Sequence, residues 1–271
     1  MIAVSSGSRL RPTGFRGAIF DVDGVLVDSP HEVAWRQALD ELMTGDWSGI
    51  RDSTTWSPHA FTSHVYQQVL SGKPRLSGAR AALEYFHVPD TAPAGDATLA
   101  AIYAERKQNL MTRLIDAAAF EAYPDAVRFV LAVRAAGIPV AAASSSKNAD
   151  RFLRGISLDD IVVAGEAAGT TLLDVFDANL SGRDFARGKP DPEIFLTAAA
   201  ELGASPESCF VVEDAVSGIL AAKAGGMAAL AVARADDAEA LVAARADLVV
   251  GSLDEVDPDR LLNGELTVRD V

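Results

Sequence analysis

Positive charge is in short supply in this chain of 271 residues: 24 Lys and Arg stand against 38 Asp and Glu, a formal net charge of −14. A surplus of that size argues against nucleic acid or an anionic membrane as the main partner, since both are polyanions. Cysteine is all but absent. Cys209 is the single one, so no intrachain disulfide can form, which suits a reducing cytoplasm. Lying just before the apolar Phe210-Val211-Val212, it reads as a small buried core residue. Aromatic residues make up only 7% while hydrophobic residues reach 49%, the mix of an Ala-, Val- and Leu-rich α/β protein. No apolar run approaches the ~18 residues of a membrane span. Residues 1–16 hold Ser, Gly and Arg but no apolar h-region, and read as a flexible tail rather than a signal peptide. The expected location is cytoplasmic.

What the chain does have is Asp21-Val22-Asp23-Gly24, at the end of the apolar stretch Gly17-Ala18-Ile19-Phe20. In an extended chain residues i and i+2 share a side, so Asp21 and Asp23 can face one reacting centre. Gly24 lets the backbone turn sharply behind them. A nucleophile and a proton donor held together in this way suit phosphoryl transfer through a covalent intermediate. The alternative is half of a calcium loop, which needs an oxygen ligand at its fifth position and an acid at its twelfth. Val25 and Glu32 occupy those places, so only the second fits, and a strand rather than a helix leads in.

Past this strand (about 17–22) the pattern changes. Ser29-Pro30-His31-Glu32 has the form of a capping box, with Ser29 as N-cap and Glu32 three residues on. Ala34, Trp35, Ala38, Leu39 and Leu42 follow at helical spacing. Further helix starts are expected at Ser57-Pro58, Ser77 and Asp96, and no strand between Ser29 and Tyr123. Residues 30–122 thus read as an all-helical cap, inserted into a core made of 17–29 and 123–271. From Tyr123 onward strands and helices alternate. A helix ends at Gly137, then come the strand Ile138 to Ala143, a helix after Asn148, and an irregular stretch through Gly165, Gly169 and Gly182. A helix from Pro192 to Leu202, strand Phe210 to Val212 and helix Ala215 to Ala224 follow, with last strands at Ala228–Val232 and Leu248–Val250. The fold class is α/β: a doubly wound parallel sheet with helices on both faces and an inserted helical cap.

Ligands of open parallel sheets bind outside the carboxyl ends of the strands. Four polar clusters fall there: Asp21/Asp23, Ser144-Ser145-Ser146-Lys147-Asn148, Lys189-Pro190-Asp191-Pro192, and Glu213-Asp214. Each alone has a plain alternative, as a loop with a helix cap, a solvated turn or an exposed acidic pair. Their joint occurrence in this order resembles the haloacid-dehalogenase-like superfamily, from about Gly17 onward. That resemblance implies a Rossmann-like core, a bound Mg²⁺ and a phospho-aspartate on Asp21. By the family pattern Asp21, the Asp23 carbonyl and Asp214 would hold the metal, with Glu213 in support. Lys189 would neutralise charge, Ser144 would hold a phosphoryl oxygen, and Asp23 would serve as acid and base. The electrostatics agree, because like charges ~4 Å apart cost roughly 4 kcal/mol per pair at an effective dielectric near 20. A phosphoryl group among these carboxylates needs a cation and a lysine.

Within the superfamily the chain is most similar to the β-phosphoglucomutase group. Ser144 to Asn148 matches that group's extended second motif. Ser71-Gly72-Lys73-Pro74-Arg75-Leu76-Ser77-Gly78 resembles its cap loop, in which the arginine matching Arg75 grips the non-transferring phosphate. Glu105-Arg106-Lys107 resembles a basic cap segment. Substrate contacts are therefore expected from Arg75, His31, Lys73, Ser145, Ser146, Lys147, Asn148 and Lys107. The chain departs from the pattern at His31, which follows Asp28 by three residues where the group usually has five; Trp35 keeps its spacing from the histidine. In a first helical turn His31 reads either as a surface residue or as a gate. Extra sequence at Ala164 to Thr171 has no assigned role. The expected activity is Mg²⁺-dependent interconversion of a β-sugar 1-phosphate and a sugar 6-phosphate. A small sugar-phosphate phosphatase and a non-catalytic phosphate sensor are the alternatives. The expected partner is a small phosphorylated sugar, and the expected state of the protein is a monomer or weak homodimer.

Overall fold

A computed structural model describes residues 14–89, 98–159, 169–235 and 237–269. Its centre is a six-stranded parallel sheet. In chain order the strands are β1 (Gly17–Phe20), β4 (Val140–Ala142), β5 (Ala178–Asn179), β6 (Cys209–Glu213), β7 (Ala228–Val232) and β8 (Leu248–Val250). They lie side by side as β5-β4-β1-β6-β7-β8, so β1 is central and the order reverses beside it. Strands covered on both faces need no polar alternation, and β1, β4 and β6 are buried throughout. The pleat divides them between two cores. Phe20, Ala142, Phe210 and Val212 enter one cluster; Ile19, Ala141, Val211 and Ala229 enter the other. Phe20 sits edge-on to Phe129, Phe176 and Phe210, and truncation of so buried a ring to alanine costs about 3–5 kcal/mol.

Helices α5 (Pro124–Ala135), α6 (Ala149–Gly155), α7 (Glu193–Glu201), α8 (Val216–Ala224) and α9 (Ala238–Ala243) follow the cap in the chain. Helices of the cap are α1 (His31–Thr44), α2 (Ser63–Val65, continuing as one π-helical turn Tyr66–Leu70), α3 (Arg75–Tyr85) and α4 (Leu99–Asp116). Trp35 of α1 meets Tyr103 of α4 with ring centroids 4.9 Å apart, and the Tyr103 hydroxyl donates to the Trp35 carbonyl at 2.8 Å. A short antiparallel ribbon joins the two layers, β2 (Val27–Asp28) against β3 (Glu121–Ala122). Among the described residues no helix is long and apolar enough to cross a membrane.

Several local expectations need correction. The Ser29 capping box does not form: α1 starts at His31 with Pro30 as its N-cap and no side-chain cap. Glu32 instead accepts from Arg36 and Ser63. Residues 58–60 are a turn, and the helix begins at Ser63 behind Thr62, whose hydroxyl accepts from the Val65 amide. Helix α3 starts at Arg75, two residues before Ser77, with Pro74 as its N-cap. Glu121–Ala122 is a strand where none was expected, and the irregular stretch holds β5. Phe15, inside the stretch read as a tail, is buried and packs 4.9 Å from Phe210. Asp96 and residues 164–168 of the extra sequence lie outside the described residues. Cys209 is buried, and burial pushes its thiol up to about 11.

Candidate active site

The carboxyl ends of β1, β4 and β6 bring three of the four motif clusters together. The Asp21 amide donates to the Val212 carbonyl at 3.0 Å, so the nucleophile candidate is tied to the sheet ladder itself. Gly24 turns the chain away with φ +86°, and a Cβ there would overlap the Asp214 carboxylate. Lys189 reaches in from the loop before α7. Its ammonium, 1% exposed, lies 2.6 Å from Asp21 Oδ1 and also bonds Glu213 Oε1. The other Glu213 oxygen accepts from the amides of Asp214 and Ala215, each at 3.0 Å. Gly218 leaves room for this carboxylate, since any side chain there would collide with it.

This floor is short of positive charge. Burial works against the Lys189 ammonium, but Asp21 and Glu213 overcome it and hold its pKa above the ordinary lysine value. Burial, helped by Glu213 and Asp23 and opposed by Lys189, pushes Asp21 up to about 8. Burial and the Glu213 and Asp21 charges push Asp214 well above the carboxylate range. Carboxylate oxygens of Asp21, Glu213 and Asp214 all lie within 4.8 Å of one another. Buried, hard and anionic, this donor set fits Mg²⁺.

Asp23 stands at the side of the floor. Ser144 Oγ donates to its Oδ2 at 3.0 Å and accepts from the Ser146 amide. The serine thus orients the acid–base candidate through the hydroxyl that was expected to hold a phosphoryl oxygen. Oδ1 of Asp23 is buried and lies 3.0 Å from His31 Nε2. Burial raises this carboxyl, but His31, Ser29 and Ser144 outweigh it and hold the pKa down at about 2.

His31 is buried, and the shortened linker still brings it to Asp23. Lys107 Nζ lies 2.5 Å from its Nδ1. A charged Lys107 only donates, so in that state Nδ1 accepts and Nε2 carries the hydrogen, facing Asp23 and Ser146 Oγ. Burial and then the Lys107 charge pull the imidazole below its ordinary value. Lys107 is itself buried over the Trp35 ring, and desolvation lowers it to about 7.

The cap covers a cleft of about 960 Å³ lined by these groups and by Lys73, Arg75, Ser145, Lys147 and Asn148. Lys73 and Arg75 are exposed, and Arg75 opens α3. Lys147 turns outward, its ammonium on the Gly182 carbonyl and Asp184. Ser145 is half-buried on the cleft wall, while Asn148 is buried at the start of α6.

Known proteins resemble this chain along most of its length. Residues 15–226 match the family model of the haloacid dehalogenase-like hydrolases. The chain belongs to that family. A β-phosphoglucomutase of Mycobacterium bovis is 31% identical over 255 residues, 90% of this chain and 92% of its own length. The solved structure of an archaeal β-phosphoglucomutase from Pyrococcus superposes with a TM-score of 0.64 at 30% identity, covering 92% of this chain and 99% of that one. Hexitol phosphatase A of Escherichia coli is 26% identical over 258 residues, 94% of this chain and 99% of its own. Within the haloacid dehalogenase-like family the chain falls in the β-phosphoglucomutase-like group.

Three residues of this family member escape sequence reasoning. Gln108 follows Lys107 on α4 and bonds both Arg75 and Asn148. Tyr66 lines the cleft from the π-helical turn, a local widening that often marks functional positions. Burial and then the Asp23 and Asp214 charges keep its phenol protonated. Arg234 lines the cleft too, stacked 4.0 Å over Tyr123 and bonded to both Asp125 oxygens. Arg234 has no motif beside it, Gln108 is an uncharged residue just past the segment Glu105-Arg106-Lys107, and the π-helical turn has no sequence signature.

Proposed function

We propose that this enzyme transfers a phosphoryl group through an aspartyl phosphate on Asp21, interconverting a β-sugar 1-phosphate and a sugar 6-phosphate. The observation that carries the reading is a cleft with two differently built ends. Its floor holds Asp21 against Lys189, and elsewhere on its lining Arg75 and Asn148 converge on one side chain. A bisphosphate needs a hold at each end.

Asp21 Oδ attacks phosphorus, and the bond from phosphorus to the sugar oxygen breaks. Asp23 gives its proton to that oxygen, and takes one back from the other sugar hydroxyl when the sugar returns turned around. In the return step that hydroxyl oxygen attacks phosphorus and frees Asp21. Held at about 2, Asp23 is ready as a base, which suits a cycle entered with Asp21 already phosphorylated. His31 and Ser144 fix its orientation from opposite sides. Lys189 neutralises Asp21 and the transferring oxygens, and Ser145 and Ser146 line the path of the sugar. Mg²⁺, held by Asp21, the Asp23 carbonyl and Asp214 with Glu213 in support, would supply Lewis-acid neutralisation of the phosphoryl oxygens. Residues 30–122 act as the specificity cap over the core of 17–29 and 123–271.

Hydrolysis of a small sugar phosphate is the second reading, favoured by the similarity to hexitol phosphatase A. Phosphorus NMR separates the two, with enzyme, Mg²⁺, β-glucose 1-phosphate and a trace of the 1,6-bisphosphate. Glucose 6-phosphate is the expected product. Inorganic phosphate alone would establish the phosphatase, and no change would favour the sensor or another sugar.

A further inference from the structure

We propose that Gln108 is the positioning residue of the distal phosphate subsite, holding the cap arginine Arg75 and the core asparagine Asn148 converged on one point. The inference rests on the two-ended cleft above and adds the residue that sets its far end. Gln108 Oε1 accepts from Arg75 Nη1 at 2.5 Å and from Asn148 Nδ2 at 3.3 Å. Its Nε2 donates to Asn148 Oδ1 at 3.0 Å and to Thr112 Oγ1 at 3.4 Å. The amide orientation follows from this set, because only an oxygen can face the guanidinium.

Two features separate this from an ordinary surface contact. Asn148 sits at the N-cap of α6, where asparagine usually accepts from the first-turn amides. Here it makes no side-chain cap; its carboxamide pairs reciprocally with Gln108 of α4 instead. The Gln108 oxygen, moreover, gathers donors from two layers of the protein, α3 of the cap and α6 of the core. One acceptor oxygen between a guanidinium and an amide N–H is what a phosphate oxygen would be in the same place. Gln108 is therefore an internal stand-in: it keeps both donors aimed inward and yields to the phosphate. Lys107 and Gln108 are adjacent on α4 but take different partners, the first His31 beside Asp23 and the second Arg75 and Asn148.

The test compares Gln108→Met, close in shape but without hydrogen bonds, with Gln108→Glu and with Arg75→Ala. For each, kcat and KM are measured on a hexose bisphosphate and on p-nitrophenyl phosphate, which has no distal phosphate, and melting temperature reports folding. With Gln108→Met, KM for the bisphosphate should rise about fivefold relative to the aryl phosphate, with kcat less affected. Gln108→Glu should lose more, because its carboxylate binds Arg75 harder and repels the incoming phosphate. Parallel changes on both substrates would mean a structural role and overturn the assignment. A selective loss in Arg75→Ala without one in Gln108→Met would overturn Gln108 alone. No selective loss in any variant would overturn the distal clamp together with Gln108.

Discussion

The floor and the roof of the cleft are built on different principles. At the floor Asp21, Lys189, Glu213 and Asp214 are all buried; the three acids sit at the ends of β1 and β6, and Asp21 and Glu213 hold the lysine. At the roof Lys73 and Arg75 are exposed, on long side chains whose reach depends on the neighbour that receives them. Charge–charge interactions are therefore strong below and screened above. Chemistry belongs to the rigid, desolvated half. Discrimination belongs to the half that adapts.

That contrast predicts a descending series of effects. Asp21→Asn should lower turnover on every phosphomonoester by several orders of magnitude with folding intact, since the amide is nearly isosteric but a far poorer nucleophile. Near-normal turnover by the folded variant would break the covalent mechanism. Asp23→Asn should cost roughly 10²–10⁴-fold on sugar phosphates. The loss should be smaller on p-nitrophenyl phosphate, whose leaving group needs little protonation; steady-state kinetics on both substrates decides, and equal losses would reduce Asp23 to a structural role. At the roof, Arg75→Ala should remove a charge-assisted contact of about 1.5–3 kcal/mol, lowering sugar-phosphate turnover about tenfold or more. Arg75→Lys should recover only part of that loss, because an ammonium lacks the fork.

The smallest effect concerns the boundary between the halves. Folding lowers Lys107 to about 7 from the ordinary 10.5. Between those values the unfolded chain binds a proton that the folded chain does not, so the contribution of Lys107 to stability rises with pH through this window. Below about 7 the folded protein carries the whole penalty. Lys107→Met should flatten that rise in thermal melts recorded across the window. An unchanged slope would show that the ammonium is better solvated than its place over Trp35 implies.

What the sequence revealed follows the same division. Apolar strands ending in Asp21, Ser144 and Asp214 were readable because burial on both faces writes a continuous run into the chain, and β7 and β8 fell where they were expected. The two-residue strands β3 and β5 were missed, because pairing of that length depends on a partner distant in sequence. Ser29 looked like a helix cap, yet its hydroxyl serves Asp23; local pattern and tertiary use competed, and the tertiary use prevailed. Gln108 carries no motif, and only the docking of α4 beside α3 and α6 gives it partners. Long polar side chains take their meaning from the far side of a cleft.

The ribbon of Val27–Asp28 against Glu121–Ala122 has a consequence for how the chain tolerates change. It clasps together the two points where the cap segment leaves and rejoins the sheet. Seen from the sheet, everything from 29 to 120 is a loop whose ends are already closed. Closure entropy grows only with the logarithm of loop length, about 0.6 kcal/mol for each doubling. Insertions, deletions or wholesale replacement within that segment should therefore leave the sheet's assembly nearly untouched, while the substrate it admits changes.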